Sequence, residues 1–183
     1  MTKINYLKEL TESKKPFIIY KSDKGFDLYT DFSKKIILTN NNIKNFINRA
    51  TKFKLKKKKT DIFIGFFGYE ILNNLIGIKV KKQKGLKFPK GIFYKPETKV
   101  KLSNKLTYRN LVSVKSNNSF KINVNKNSYK VIFDRFKKKI KSGETYQIKI
   151  CTKYSNKTQI DALDFFCRLV KTNMAPEAFM IKD

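Results

Sequence analysis

The side chains that most often perform acid–base and nucleophilic chemistry are scarce in this sequence. Its 183 residues include no histidine and only 14 aspartates and glutamates. A serine or cysteine nucleophile therefore has no histidine to activate it. Asp161 and Asp164 have the spacing to present two oxygens to a cation, but both lie at the start of a predicted helix, where the helix dipole favours carboxylates. The residue types alone identify no catalytic residue.

Two cysteines, Cys151 and Cys167, are the remaining candidate nucleophiles or metal ligands. Each stands beside apolar residues inside a predicted regular element. That setting favours two small buried thiols over a disulfide or a metal pair. With no histidine and no CxxC pair, the sequence predicts no zinc site.

The formal net charge of +28 admits two interpretations. One is a protein that binds nucleic acid, since lysine and arginine gain affinity for phosphate by releasing counterions. The other is a genome rich in A and T, whose codons favour Lys, Asn, Ile, Phe and Tyr. Only 4 of the 42 basic residues are arginine, the residue that makes bidentate contacts with phosphate and guanine. The scarcity of arginine favours the second interpretation, and nucleic-acid binding remains the alternative.

Hydrophobic periodicity predicts a chain that mixes strands and helices. Strands are predicted at 16–22, 26–32, 35–39, 62–67 and 145–154, with others between 92 and 124 and a last one near 178–181. Helices are predicted at 41–55, 128–143 and about 160–172, and one or two helical turns at 69–76. Ser128 is the candidate cap of the second helix and Gly143 its terminator. This order is typical of an α+β protein that begins with a β-rich part containing few helices.

Three short segments resemble one enzyme family, in the same order along the chain. Residues 142–148 (SGETYQI) are similar to the passage from helix to strand that opens the family's catalytic domain. Residues 173–179 (NMAPEAF) are similar to a proline-containing segment that follows it, and residues 65–70 (GFFGYE) to a segment of the amino-terminal domain. The family is that of the large subunits (component I) of anthranilate synthase and aminodeoxychorismate synthase. The resemblance covers nearly the whole chain and only the amino-terminal portion of those enzymes.

The resemblance implies residues 1–125 as the β-rich amino-terminal domain and residues 126–183 as the truncated start of an α/β chorismate-binding domain. It also implies an enzyme that replaces a hydroxyl group of chorismate with an amino group. Ammonia would come from a glutamine amidotransferase subunit, and the intact enzyme would use Mg²⁺. The glutamates that bind Mg²⁺ in the family lie in carboxyl-terminal segments that are missing here, so no metal ligand is assigned.

We therefore expect an amino-terminal fragment that is inactive alone, as a truncated product, a fragment at the end of sequenced DNA or one half of a split enzyme. A split enzyme would require the missing carboxyl-terminal segment as a partner. Whether the intact enzyme makes anthranilate or aminodeoxychorismate is left open. No catalytic residue is assigned within this chain.

The same resemblance points to an effector pocket. In many relatives, tryptophan binds between a serine-containing strand and the proline-containing segment. The corresponding residues in this chain are Ser22, Asn173, Pro176, Glu177 and Ala178. Lys21 stands where glutamate is usual, and Glu177 and Ala178 stand where an aromatic residue and methionine are usual. These departures indicate that tryptophan does not bind, and they lean toward the aminodeoxychorismate product without deciding it.

No apolar run in the sequence reaches the length of a membrane span, and the amino terminus lacks the apolar core of a signal peptide. We expect a cytoplasmic location and no membrane partner. A region after about residue 125 that lacks the rest of its sheet should expose apolar surface. Poor solubility or fast proteolysis is therefore expected there.

Overall fold

The computed structural model describes residues 3–51, 62–69, 71, 76–77, 88–103, 105–106, 119–157 and 160–183. The chain forms two compact units. The first combines Met1–Tyr108 with Leu163–Asp183, and the second is Arg109–Ala162. The structure mixes helices with antiparallel strands, which confirms the predicted α+β class.

The described elements are numbered in chain order. The helices are α1 (Lys3–Glu12), α2 (Ile43–Thr51), α3 (Lys126–Lys141) and α4 (Ala162–Asn173). The strands are β1 (Phe17–Ser22), β2 (Gly25–Ile37), β3 (Ile64–Phe67), β4 (Gly91–Lys101), β5 (Lys121–Ile122), β6 (Tyr154–Ser155) and β7 (Ala178–Lys182). The first unit is built on a five-stranded antiparallel sheet with the order β3-β4-β2-β1-β7.

Strand β1 is buried on both faces. Phe17 and Ile19 belong to one apolar cluster, whereas Ile18 packs with Tyr29 and Tyr94 in another. Successive side chains of a strand point to opposite faces, so the continuous apolar run FIIY suits a central strand. The strand predicted at 16–22 is confirmed. The first cluster also contains the helix residues Leu7, Leu10, Leu163, Phe166, Cys167 and Val170. The predicted buried face of the helix near 160–172 is therefore confirmed.

Strand β2 is one continuous strand where the sequence predicts two shorter ones, so that prediction is wrong. The interruption in the apolar pattern is a β-bulge, since the register with β4 shifts between Phe32 and Lys34 and Asp31 has a φ of 53°. A bulge leaves a residue unpaired without ending the strand. The predicted turn at 23–25 is confirmed, with Gly25 at the left-handed φ of 103°.

Helix α1 is not predicted by the sequence pattern. Its described buried residues are Leu7 and Leu10, which are 1% and 6% exposed. Two apolar positions give a weak periodic signal. Packing against α4 residues such as Leu163 stabilises the helix, and periodicity does not report such long-range contacts.

The second unit contains α3 and the short antiparallel pair β5–β6, in which Lys121 stands opposite Ser155. The predicted helix is confirmed, but its start differs. Asn125 is the cap, because its side chain accepts a hydrogen bond from the backbone N–H of Ser128. Gly143 follows the helix with a φ of 75°, as predicted for a terminator.

The strand predicted at 145–154 is largely wrong. Only Tyr154–Ser155 forms a strand. Exposure alternates over 147–153, with Ile148 and Ile150 half-buried, but Tyr146 and Tyr154 are exposed. A strand needs a hydrogen-bonded neighbour, which an alternating pattern does not guarantee. Cys151 is exposed, so the expectation of a buried thiol at this position is also wrong.

The end of the described chain returns to the first unit. Strand β7 pairs with β1, from Phe17 opposite Lys182 to Lys21 opposite Ala178. One sheet therefore joins residues from both ends of the sequence. The division into domains at 1–125 and 126–183 stays a prediction.

Candidate functional site

The pairing of β1 with β7 brings together two of the segments on which the predicted effector pocket depends. The register sets Ile19 opposite Met180, Tyr20 opposite Phe179 and Lys21 opposite Ala178. Ala178 is the first residue of β7, half-buried and packed against the apolar cluster. The serine-containing strand and the proline-containing segment are thus immediate neighbours.

The side chain of Lys21 reaches the turn between α4 and β7. Its Nζ atom donates hydrogen bonds to the carbonyl oxygens of Ala175, at 2.6 Å, and Pro176, at 3.1 Å. An ammonium group has three donors and no acceptor, so a pair of carbonyl oxygens is a suitable partner. Lys21 stands where the family usually has glutamate. It therefore contacts the turn that contains Pro176, one of the predicted effector-pocket residues.

Glu177 lies near Tyr20, the residue that precedes Lys21 in β1. The Tyr20 hydroxyl lies near the Glu177 carboxylate. Burial raises the pKa of Tyr20 above its ordinary value, and the nearby Glu177 carboxylate raises it further because it would repel ionised tyrosine. Tyr20 thus remains a neutral donor over the physiological range.

The two other predicted pocket residues lie at the ends of their elements. Ser22 ends β1, and its Oγ accepts a hydrogen bond from the backbone N–H of Lys24 at 3.2 Å. Asn173 is the exposed last residue of α4, and Met174 follows it with a φ of 47°. The structure therefore brings Pro176, Glu177 and Ala178 next to β1. The Ser22 hydroxyl instead bonds to the backbone of its own turn, at Lys24.

The passage from α3 toward residue 148 presents exposed polar and aromatic groups. The Glu144 carboxylate pairs with Lys139 and accepts a hydrogen bond from Ser142. These contacts, chiefly the bond from Lys139, lower the pKa of Glu144. Tyr146 is 91% exposed, and Gln147 is exposed as well. The polar and aromatic residues of this family-like segment are therefore exposed on the surface of the second unit.

A largely apolar groove of about 410 Å³ runs along α3 within the second unit. It is lined by Tyr129, Phe133, Phe136, Lys137, Ile140, Lys141, Ile148 and Ile150. None of the 16 residues of α3 is buried. The amphipathic face predicted for this helix is real, and it lines an open surface.

The GFFGYE segment forms β3 and the turn after it. Gly65 lies against β4 so closely that a Cβ atom there would stand 1.9 Å from the Ile92 carbonyl oxygen. A Cβ at Gly68 would stand 2.9 Å from the carbonyl oxygen of Pro89. Both glycines are therefore required by close backbone approach. Glu70 lies outside the described residues.

One cluster of polar residues was not predicted. Lys35 and Tyr94 stand opposite each other in the β2–β4 register, and both bind the Asp183 carboxylate, with 2.5 Å to its Oδ1 from Lys35 Nζ and from Tyr94 Oη. The bond from Lys35, followed by that from Tyr94, lowers the pKa of Asp183. Burial and the bond to Asp183 raise the pKa of Tyr94. No sequence motif joins these residues, which are separated by up to 148 positions.

The described ranges contain no group of three or more cysteine, aspartate or glutamate side chains placed to hold a metal ion. We therefore assign them no Mg²⁺ ligand. Within the same ranges, every helix is too short or too polar to cross a bilayer.

The described residues form an α+β fold built on an antiparallel sheet. A family model described as chorismate binding enzyme matches residues 7–183. The chain belongs to the family of chorismate-binding enzymes, as its motifs predicted. A search of curated proteins finds no match.

Proposed function

We propose that this chain is the amino-terminal part of the large subunit of a chorismate-aminating synthase. Membership in the chorismate-binding family supports chorismate as the substrate of the intact enzyme. The observation that carries the proposal further is the pairing of Lys21 with Ala178. It sets side by side the two segments that resemble the large subunits of anthranilate and aminodeoxychorismate synthases.

In the proposed reaction, ammonia attacks the chorismate ring and the ring hydroxyl leaves as water. A glutamine amidotransferase partner supplies the ammonia. Residues of a carboxyl-terminal segment would hold Mg²⁺, which would supply positive charge beside the substrate carboxylate. The present chain contributes the sheet of the first unit and the start of the chorismate-binding domain, with no catalytic step of its own.

Reconstitution tests this proposal. The chain is mixed with the carboxyl-terminal part of a large subunit from a chorismate-aminating relative, starting where the relative's alignment with this chain stops. Chorismate, ammonium chloride and Mg²⁺ are added, and products are identified by mass spectrometry. We expect an amino product from the mixture and none from either part alone. The chain carrying Gly65→Ala, which disturbs the sheet, is the negative control.

Failure of the folded chain to restore activity to either anthranilate or aminodeoxychorismate carboxyl-terminal parts would overturn the proposal. Restoration of only one of the two parts distinguishes the two synthases. Family membership does not favour the alternative of a nucleic-acid-binding protein.

A further inference from the structure

The turn between α4 and β7 contains two backbone carbonyl oxygens that both accept hydrogen bonds from one ammonium group. These are the oxygens of Ala175 and Pro176, and the ammonium is that of Lys21, 154 and 155 positions away in sequence. We infer that these carbonyls form a binding site for a primary ammonium group, which Lys21 fills from within the chain. The inference concerns regulation and goes beyond the proposed synthase activity.

Local geometry explains why these carbonyls are available. Ala175 and Pro176 lie after the last residue of α4 and before the first residue of β7. The left-handed φ of 47° at Met174 turns the chain immediately after the helix. Carbonyl groups next to a helix C-terminus carry partial negative charge and favour a cation. A charged donor makes stronger hydrogen bonds to them than a neutral donor would.

The rest of the turn is held by the neighbouring residue of β1. Tyr20 lies near the Glu177 carboxylate, while Lys21 bonds to the two preceding carbonyls. Adjacent residues of a strand project to opposite faces, so the two side chains reach the turn from different sides. The turn is therefore held without any free ligand.

This arrangement has a consequence for amino-acid effectors. A free amino acid would have to displace the Lys21 ammonium before its own ammonium could bind these carbonyls. Lys21 is covalently attached, so its effective concentration at the site is high and it competes strongly. We therefore expect free amino acids to leave the stability of the native chain unchanged.

Chemical rescue tests the inference. Lys21→Ala removes three methylene groups and the ammonium, which together correspond to propylammonium. The variant should unfold about 3–6 °C lower than the native chain, as expected for a lost charged hydrogen-bond donor. Propylammonium at tens of millimolar should restore part of that loss, because a ligand that binds only the folded state stabilises it. Tetramethylammonium and sodium chloride at equal concentration should not.

Two matched variants sharpen the test. Lys21→Met lacks the ammonium but keeps a long side chain in the site, so it should lose stability without being rescued. Lys24→Ala changes an exposed lysine three residues away in the β1–β2 turn and should show neither loss nor rescue. If Lys21→Ala does not fold, refolding it with propylammonium should recover folded protein.

An unchanged melting temperature for Lys21→Ala would overturn the inference. So would equal rescue by tetramethylammonium, which has no N–H donor, or failure of propylammonium to rescue either unfolding or refolding. All readouts are melting temperature or folded yield. The inference can therefore fail while the synthase proposal stands, and the reverse also holds.

Discussion

Lys21 and Lys182 donate hydrogen bonds to backbone carbonyls at opposite ends of the β1–β7 pair. Lys21 of β1 binds the carbonyls of the turn that leads into β7. Lys182 of β7 binds the carbonyls at the end of α1, the helix that leads into β1, with 3.0 Å to Leu10 and 2.8 Å to Thr11 and a further bond to Ser13. Each strand thus holds the segment that enters its partner. Two lysines of this very basic chain are therefore structural.

The Lys182 contacts predict a clear cost for removing its charge. Lys182→Met keeps a similar apolar stem but leaves the α1 carbonyls without their charged donor. We expect a loss of about 2 kcal/mol in the free energy of unfolding, measured by urea denaturation. Lys8→Met is the control, because Lys8 is exposed and pairs at 4.0 Å with an equally exposed Glu12. It should cost less than about 0.5 kcal/mol, and equal losses in the two variants would contradict the prediction.

The sequence predicts those elements whose signal is local. The apolar run of β1, the spacing of Phe166 and Val170 in α4, and Gly143 after α3 all report neighbouring residues. Periodicity and turn chemistry are sufficient there. The predictions that fail concern segments whose structure depends on a distant partner. Residues 145–153 alternate in polarity but acquire no strand neighbour.

The candidate site shows the same limit. The sequence identifies Pro176 and Ala178 through a motif, but it does not show that Lys21 binds this turn. It also gives no signal for the Lys35–Asp183 pair, whose members are 148 positions apart. Such contacts follow from strand order and register, which depend on the whole sheet.

Asp183 should make stability depend on acid pH. Its pKa is lowered, first by Lys35 and then by Tyr94, so its ionised form stabilises the folded state. That contribution is present above the ordinary pKa of 3.8 and is lost as the pH falls through the lowered value. Melting temperatures of the native chain and Asp183→Asn should therefore differ at neutral pH and converge in acid, below the ordinary pKa of 3.8.

Asp23→Asn is the matched control for this titration. Asp23 is an exposed residue of the β1–β2 turn. Its substitution should shift the melting temperature little, and by a similar amount at both pH values. A difference between the native chain and Asp183→Asn that stays constant with pH would show that the effect comes from packing and not from ionisation.

Met174 offers a stabilising substitution. Its φ of 47° is left-handed, and its side chain is 85% exposed, so little packing compensates for the backbone strain. Met174→Gly should raise the free energy of unfolding by about 0.5–1 kcal/mol, because glycine adopts this conformation without a Cβ penalty. Met174→Ala keeps the Cβ and should give no such gain. A stabilisation of equal size in both variants would argue against backbone strain as the cause.

Gly65 should tolerate no side chain. A Cβ atom at this position would meet the Ile92 carbonyl oxygen at 1.9 Å and the Phe93 Cα at 2.7 Å, both backbone atoms of β4. Gly65→Ala should therefore cost about 3 kcal/mol or more, by separating β3 from β4. Gly68→Ala meets its nearest atom at 2.9 Å and should cost less. Urea denaturation of both variants measures the two losses in free energy of unfolding. A larger loss for Gly68→Ala than for Gly65→Ala would contradict the geometry.

The two long helices near the carboxyl end should differ in protection from hydrogen exchange. Helix α4 buries Leu163, Asp164, Phe166, Cys167 and Val170, whereas α3 buries no residue although it is longer. Local opening of α3 exposes little additional apolar surface, so its free energy of opening should be small. We expect its amides to exchange at least about tenfold faster than those of α4, measured by mass spectrometry at neutral pH. Equal protection would mean that the apolar groove on α3 is covered in solution, because an uncovered helix with no buried side chain has no packing that could hold its hydrogen bonds closed.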